Sequence, residues 1–303
     1  MQGACAALLG RAAAAEPGAG APALALWPGR PPGGGGPSGP VEVNEAGAWS
    51  HVASPALEAF RPAHPNGAAV LVAAGGGYKR EQIENEARPA ARWLAERGVT
   101  AFVLSYRLPG EGWQAGALAP LQDAQRALRM IRARASGEGI DAARIAVLGF
   151  SAGGHLLGLA AARSGFRSYE PVDEIDKASA RPAAAALIYP VITLQPPYDH
   201  TSTRRMLVGD HPSADASAEW SVQTHVGAAC PPVFMVQAAD DPVSNPANSL
   251  LMAEACEHAG VPVERHLLPS GGHGFGMGRA GSPSAHWPAW YEAWLVQRGL
   301  MRA

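Results

Sequence analysis

The chain is poor in cysteine, with three in 303 residues: Cys5, Cys230 and Cys256. Their spacing matches no zinc-binding pattern, and Cys230 and Cys256 read as buried free thiols. Charge is also scarce. Charged residues make up 17% of the chain, below the ~25% of ordinary domains. No Lys/Arg run or basic stripe exists, so no nucleic-acid partner is expected. No apolar run approaches ~18 residues, so no membrane span is expected. No internal repeat and no domain-splitting linker is visible, which excludes a solenoid or propeller.

What is present is apolar and glycine-rich: 47% hydrophobic residues and 36 glycines. That is enough for one large core. The chain divides into residues 1–40, a flexible tail or the remnant of an export signal, and residues 41–303, a single catalytic domain. "MQGACAALLGRAAAAEPGAGAP" has a short apolar segment and small residues but no basic start. Cytoplasmic and exported locations both stay open. "PGRPPGGGGPSGP" reads as a loop.

After residue 40, apolar strands alternate with amphipathic helices. "AAVLVAA", "VTAFVLSYR", "RIAVLGF", "AAALIYPVI", "PVFMVQAA" and "VPVERHLL" read as strands. "ARPAARWLAERG", "PLQDAQRALRMIRARA", "SAGGHLLGLAAAR" and "NPANSLLMAEACEHAG" read as helices, as does the closing "HWPAWYEAWLVQRG". Trp287, Trp290 and Trp294 share one helical face and read as core. This order predicts an α/β fold: a mostly parallel sheet covered on both faces by helices. Residues 193–230 are irregular and read as a lid or rim over one end of the sheet.

Gly149-Phe150-Ser151-Ala152-Gly153 fits G-x-S-x-G between a strand and a helix. That context presents a serine hydroxyl on a sharp turn. The flanking glycines remove side chains that would collide across it. The helix behind aims free N–H groups and a positive dipole end at the same point. A serine nucleophile needs a base. Of the C-terminal histidines, His258 lies in a helix, His266 in a strand and His286 at a helix start. His273 lies in "SGGHGFG", directly after the last strand, and is the expected base. The acid that orients it is expected in "VQAADDPVSNP". The D-x-x-V pattern of similar loops favours Asp240, leaving Asp241 as a loop hydrogen-bonder. "AAGGGY" follows the first buried strand and supplies candidate oxyanion donors. They are Gly75, Gly76 and Gly77, with Ala152 beside the nucleophile. Tyr78, Trp113 and Trp220 are candidate substrate contacts; the tryptophans either stack on a sugar or close a hydrophobic rim. Glu86 is either a further substrate contact or, the favoured reading, structural.

Together "VAAGGGY", "ARWLAERGVTAFVLSYRLP", "RIAVLGFSAGGHL", "PVFMVQAADDPV" and "GGHGFG" resemble the α/β-hydrolase superfamily. The closest likeness is to the carbohydrate-esterase-like group of acetyl-xylan and feruloyl esterases. Dipeptidyl-peptidase catalytic domains are more distantly similar. The resemblance covers residues 40 to 300 and implies a serine carboxylesterase for short acyl esters, including acetylated carbohydrates. It implies an acyl-enzyme intermediate, no metal or organic cofactor and no large cap domain. The chain departs from many relatives at Ala74, where they carry His or Pro before the three glycines. A peptidase of the dipeptidyl or acylaminoacyl type and a non-enzymatic binding protein are the alternatives. Oligomeric state is not readable.

Overall fold

A computed structural model describes residues 23–302. Residues 1–22, with the candidate export signal and Cys5, lie outside the described residues. The strands are β1 (Leu24–Ala25), β2 (Glu42–Val43), β3 (Trp49–Ser50), β4 (Ala56–Phe60), β5 (Ala69–Ala73) and β6 (Thr100–Ser105). They continue with β7 (Ile145–Phe150), β8 (Ala185–Ile188), β9 (Val233–Ala238) and β10 (Val263–Leu268). The α-helices are α1 (Arg88–Glu96), α2 (Leu118–Arg134), α3 (Ala152–Ala162), α4 (Ser202–Val208), α5 (Ala214–Glu219), α6 (Ala247–His258) and α7 (Trp287–Gln297).

Eight strands form one sheet in the order β1-β4-β6-β5-β7-β8-β9-β10. The pairs from β6 to β10 are parallel, and β1 and β4 form an antiparallel edge. Strand side chains alternate between two cores, as the period of two requires. Leu71, Val147, Leu187 and Met235 face α2, α3 and α6. Val72, Leu148, Ile188 and Phe234 face α1 and α7. Burial on both faces explains why these strands read as continuous apolar runs. Trp287 and Trp294 lie in the second core, while Trp290 is partly buried and stacks on His266. Cys230 and Cys256 are buried free thiols.

Residues 23–40 depart from the expected tail. Leu24–Ala25 pairs with β4, and Leu26 and Trp27 are buried. Trp27 Nε1 donates to Asp123 Oδ1 at 2.8 Å, within a fully buried ion pair between Asp123 and Arg107. The indole therefore completes the coordination of a buried carboxylate, which ties this segment to the domain. Composition marks it as loop-like because its glycines and prolines suppress periodicity, although Leu26 and Trp27 are core. The segment 193–230, expected to be irregular, holds α4 and α5, and its Thr201, Ser202 and Thr203 line the cleft described below.

The site's location follows from topology. The chain leaves β5 for β6 on one side and returns to β7 on the other. This reversal opens a crevice at the carboxyl ends of β5 and β7, where open α/β sheets take ligands.

Candidate active site

Ser151 follows β7 with φ 50° and ψ −115°, a backbone region that non-glycine residues rarely adopt. Its N–H donates to Ile188 O at 2.9 Å, which anchors the strained turn to β8. The flanking glycines are there for space. A Cβ on Gly149 would lie 2.3 Å from Gly153 O, and one on Gly153 would lie 2.3 Å from Ala73 O. Any side chain would push the serine away from the sheet.

Ser151 Oγ and His273 Nε2 are 2.8 Å apart. On the other side of the ring, His273 Nδ1 lies 2.8 Å from Asp241 Oδ2. The carboxylate cannot donate, so Nδ1 carries the proton and Nε2 accepts from the serine hydroxyl. The loop that presents His273 is braced by the Arg279 guanidinium, which donates to the carbonyls of His273 and Gly274.

The partner of His273 is thus Asp241, not Asp240. Asp240 is exposed, and its Oδ1 accepts the Gly272 N–H at 2.8 Å. Asp241 is buried. Its Oδ1 accepts the N–H groups of Val243 and Ser244, as an Asx turn does. The loop role read from the sequence is therefore real but incomplete, because the second oxygen, which also accepts from Gln237 Nε2 at 3.1 Å, faces the imidazole. The Asp-Pro-x-Ser pattern is the signal that marks Asp241. It identifies a carboxylate pinned by its own loop, which is what an orienting acid requires.

The three glycines divide by role. Gly75 N–H is already taken by Glu86 Oε2, so it is not a free donor. What Gly75 provides is close approach: a Cβ there would sit 2.7 Å from Ser151 Cβ. The N–H groups of Gly76, Gly77 and Ala152 have no acceptor among the described residues. Gly76 and Gly77 both have positive φ, a conformation that glycine adopts without strain. The Ala74 methyl cannot hydrogen-bond this loop, and other groups do the ordering. Tyr106 Oη donates to Ala74 O, Gln82 N–H to Gly75 O, and Ser202 Oγ to Gly77 O.

Glu86 has a larger part than its sequence reading allowed. It is buried, and its Oε1 accepts from Tyr189 Oη at 2.9 Å. Tyr189 Oη in turn accepts the Gly276 N–H at 3.0 Å. Burial pushes the Glu86 carboxyl up, against the hydrogen bonds from Gly75 and Tyr189 that lower it. The network ties the glycine loop to the histidine loop across the crevice. No local pattern signals it, because its members come from four separate segments.

The aromatic candidates lie elsewhere. Tyr78 is buried behind Ser151, 3.0 Å from His155 Nδ1. Trp113 is buried over Gly36 and under the Arg107 guanidinium. Trp220 packs its ring on the core and accepts from His155 Nε2 through its carbonyl. None of the three lines the cleft above Ser151. That cleft encloses about 850 Å³ and is bordered by Gly76, Gly77, Arg80, Ser202, Val243 and Met277, among others. Among the described residues, no three His, Cys, Asp or Glu side chains cluster as metal ligands. No helix among them is long and apolar enough to cross a membrane.

The BD-FAE family profile matches residues 58–256. Endo-1,4-beta-xylanase B of Butyrivibrio fibrisolvens is 35% identical over 206 residues, covering 68% of this chain and 32% of its own length. The acetylxylan esterase of Xylanibacter ruminicola is 30% identical over 228 residues, covering 72% of this chain and 43% of its own. The chain therefore spans less than half the length of either relative. Among solved structures, an acetyl ester-xyloside bifunctional hydrolase from Caldicellulosiruptor lactoaceticus superposes with a TM-score of 0.76 at 32% identity. That match covers 92% of this chain and 97% of the other. A carboxylesterase from Lactobacillus plantarum gives a TM-score of 0.70 at 27% identity, covering 88% of this chain and all of that one. By the family match over two thirds of its length, and with a sheet and helices arranged as in these enzymes, the chain belongs to the BD-FAE family of α/β-hydrolase esterases.

Proposed function

We propose that this protein is a serine carboxylesterase that removes short acyl groups, acetyl above all, from carbohydrates. The observation that carries the reading is the continuous chain Asp241–His273–Ser151, with both contacts at 2.8 Å. It opens onto a cleft beside unengaged N–H groups of Gly76, Gly77 and Ala152. The acetylated-carbohydrate preference is supported by the acetylxylan esterase and the acetyl ester-xyloside hydrolase that the chain resembles.

In this mechanism Ser151 Oγ attacks the ester carbonyl carbon while His273 Nε2 takes its proton. Asp241 holds the ring in the required tautomer and stabilises the imidazolium. The carbonyl oxygen becomes an oxyanion, held by the N–H groups of Gly76, Gly77 and Ala152. The C–O bond to the alcohol then breaks, and His273 returns the proton to the departing oxygen. Water, deprotonated by His273, attacks the acyl-enzyme and releases the acid, restoring Ser151. Gly75 and Glu86 take no direct part; they hold the donors in place.

The test is hydrolysis of p-nitrophenyl acetate, butyrate, octanoate and laurate, with acetylated xylan in parallel, by wild type and Ser151→Ala. Wild type is expected to favour the short esters and release acetate from xylan. The variant is expected to lose at least about 10³-fold in kcat while remaining folded. A folded wild-type protein that cleaves no ester would overturn the reading.

A further inference from the structure

The charge around the cleft is one-sided. Only two of the 24 basic residues are lysines, Lys79 and Lys177. Lys177 pairs with Glu174. Lys79 instead lines the active-site cleft, next to Arg80, which lines it too. Both are exposed, and neither closes an ion pair among the described residues. The other arginines are largely committed: Arg88, Arg107, Arg126 and Arg163 pair with carboxylates, and Arg204 and Arg279 hold backbone carbonyls.

Among the described residues, no carboxylate lies within ion-pairing distance of either cation. Glu86 is the one carboxylate among the described residues that line the cleft. Both of its oxygens are occupied, by Gly75 N–H and Tyr189 Oη. A chain of formal charge −2 thus leaves a positive, uncompensated rim on its cleft. The position is close to the chemistry. Arg80 packs on the glycine loop: a Cβ on Gly76 would lie 3.1 Å from Arg80 Cγ. Arg80 thus borders the same cleft that holds Ser151. Guanidinium and ammonium side by side suit a carboxylate, as a planar fork and a mobile point charge.

On the esterase reading above, we propose that the preferred substrate is an anionic one: an acylated carbohydrate bearing a carboxylate, such as a uronic acid branch, held by Lys79 and Arg80 while the ester sits at Ser151. A neutral ester would use the same machinery but leave the two cations facing water.

The test compares acetate release from two acetylated xylo-oligosaccharides of matched length and acetyl content. One carries a uronic acid branch, and the other carries the same branch converted to its neutral amide. The kcat/KM ratio of acid to amide is read within each protein, so a general loss of activity cancels. In wild type at low salt the ratio is expected to be about three to ten, carried mainly by KM. It should fall toward one at about 0.5 M salt and in the double variant Lys79→Met/Arg80→Met. A wild-type ratio near one overturns the inference while leaving the esterase intact. So does a preference that survives both salt and the double substitution. Failure to release acetate from either compound overturns the esterase reading, and this inference with it.

Discussion

Two histidines flank the Ser151 turn, and their surroundings could hardly differ more. His155 lies on α3, one turn behind the serine, and is fully buried. Its Nε2–H donates to Trp220 O at 2.7 Å, and its Nδ1 accepts from Tyr78 Oη at 3.0 Å. Burial pulls its pKa down to about 4. His273 keeps 16% of its side chain exposed and bonds to a carboxylate on one nitrogen and a hydroxyl on the other. Both rings are fully hydrogen-bonded, so satisfaction alone does not distinguish a structural histidine from a reactive one. The partners do. A carbonyl and a phenol hold the neutral imidazole, and the carbonyl bond offsets only part of what burial costs the charged form. In the proposed mechanism, a carboxylate and a hydroxyl with a removable proton are what a transient imidazolium at His273 requires.

The largest effect should come from erasing that distinction at His273. Asp241→Asn is expected to lower kcat on short esters by about 10⁴-fold, because the amide favours the wrong imidazole tautomer. The thermal midpoint should stay near wild type, and steady-state kinetics beside a melting curve checks both.

The opposite side of the comparison appears in stability against pH. Below its ordinary pKa of 6.5, His155 takes up a proton in the unfolded chain but stays neutral in the folded one down to about 4. Folded stability should therefore fall as pH drops through this window, by about 3 kcal/mol from this residue. Denaturant titrations at pH 7 and pH 4.5 should show a smaller drop for His155→Gln than for wild type. Equal drops would mean that His155 is not held neutral.

Tyr78→Phe removes one of the two bonds on that neutral ring and leaves its packing against Tyr106 intact. A loss of about 1–2 kcal/mol is expected, with kcat within about threefold of wild type. A large kcat loss would place the buried pair in the reaction path. The smallest effect should come from Asp240→Asn. The amide oxygen can still accept the Gly272 N–H, so kcat should change by less than about threefold. The contrast with Asp241→Asn, one residue away, decides which aspartate serves the imidazole.

The architecture was readable in the chain because periodicity is local. Buried parallel strands announce themselves as apolar runs, and helices as stripes. Ser151 and His273 were readable for a similar reason: a glycine-flanked turn can be recognised from its own residues. Asp241 was the harder case. Two adjacent aspartates close β9, and choosing between them depends on which one faces a loop 32 residues further on. Its Asx turn was visible, but the second oxygen's partner was not. The same limit applies to the glycine loop, where three equal-looking residues divide into one structural amide and two free ones.

By itself, then, the sequence determined the α/β fold, the serine turn, the histidine loop and the low charge of the chain. Each of these depends on residues that are neighbours in the chain. The tertiary structure decided that Asp241 holds His273 and that Glu86 takes Gly75 out of the donor set. It also removed Tyr78, Trp113 and Trp220 from the cleft and joined Leu24–Trp27 to the sheet and its core. These outcomes turn on hydrogen-bond direction, burial and steric contact between distant segments, which residue types and spacing do not encode.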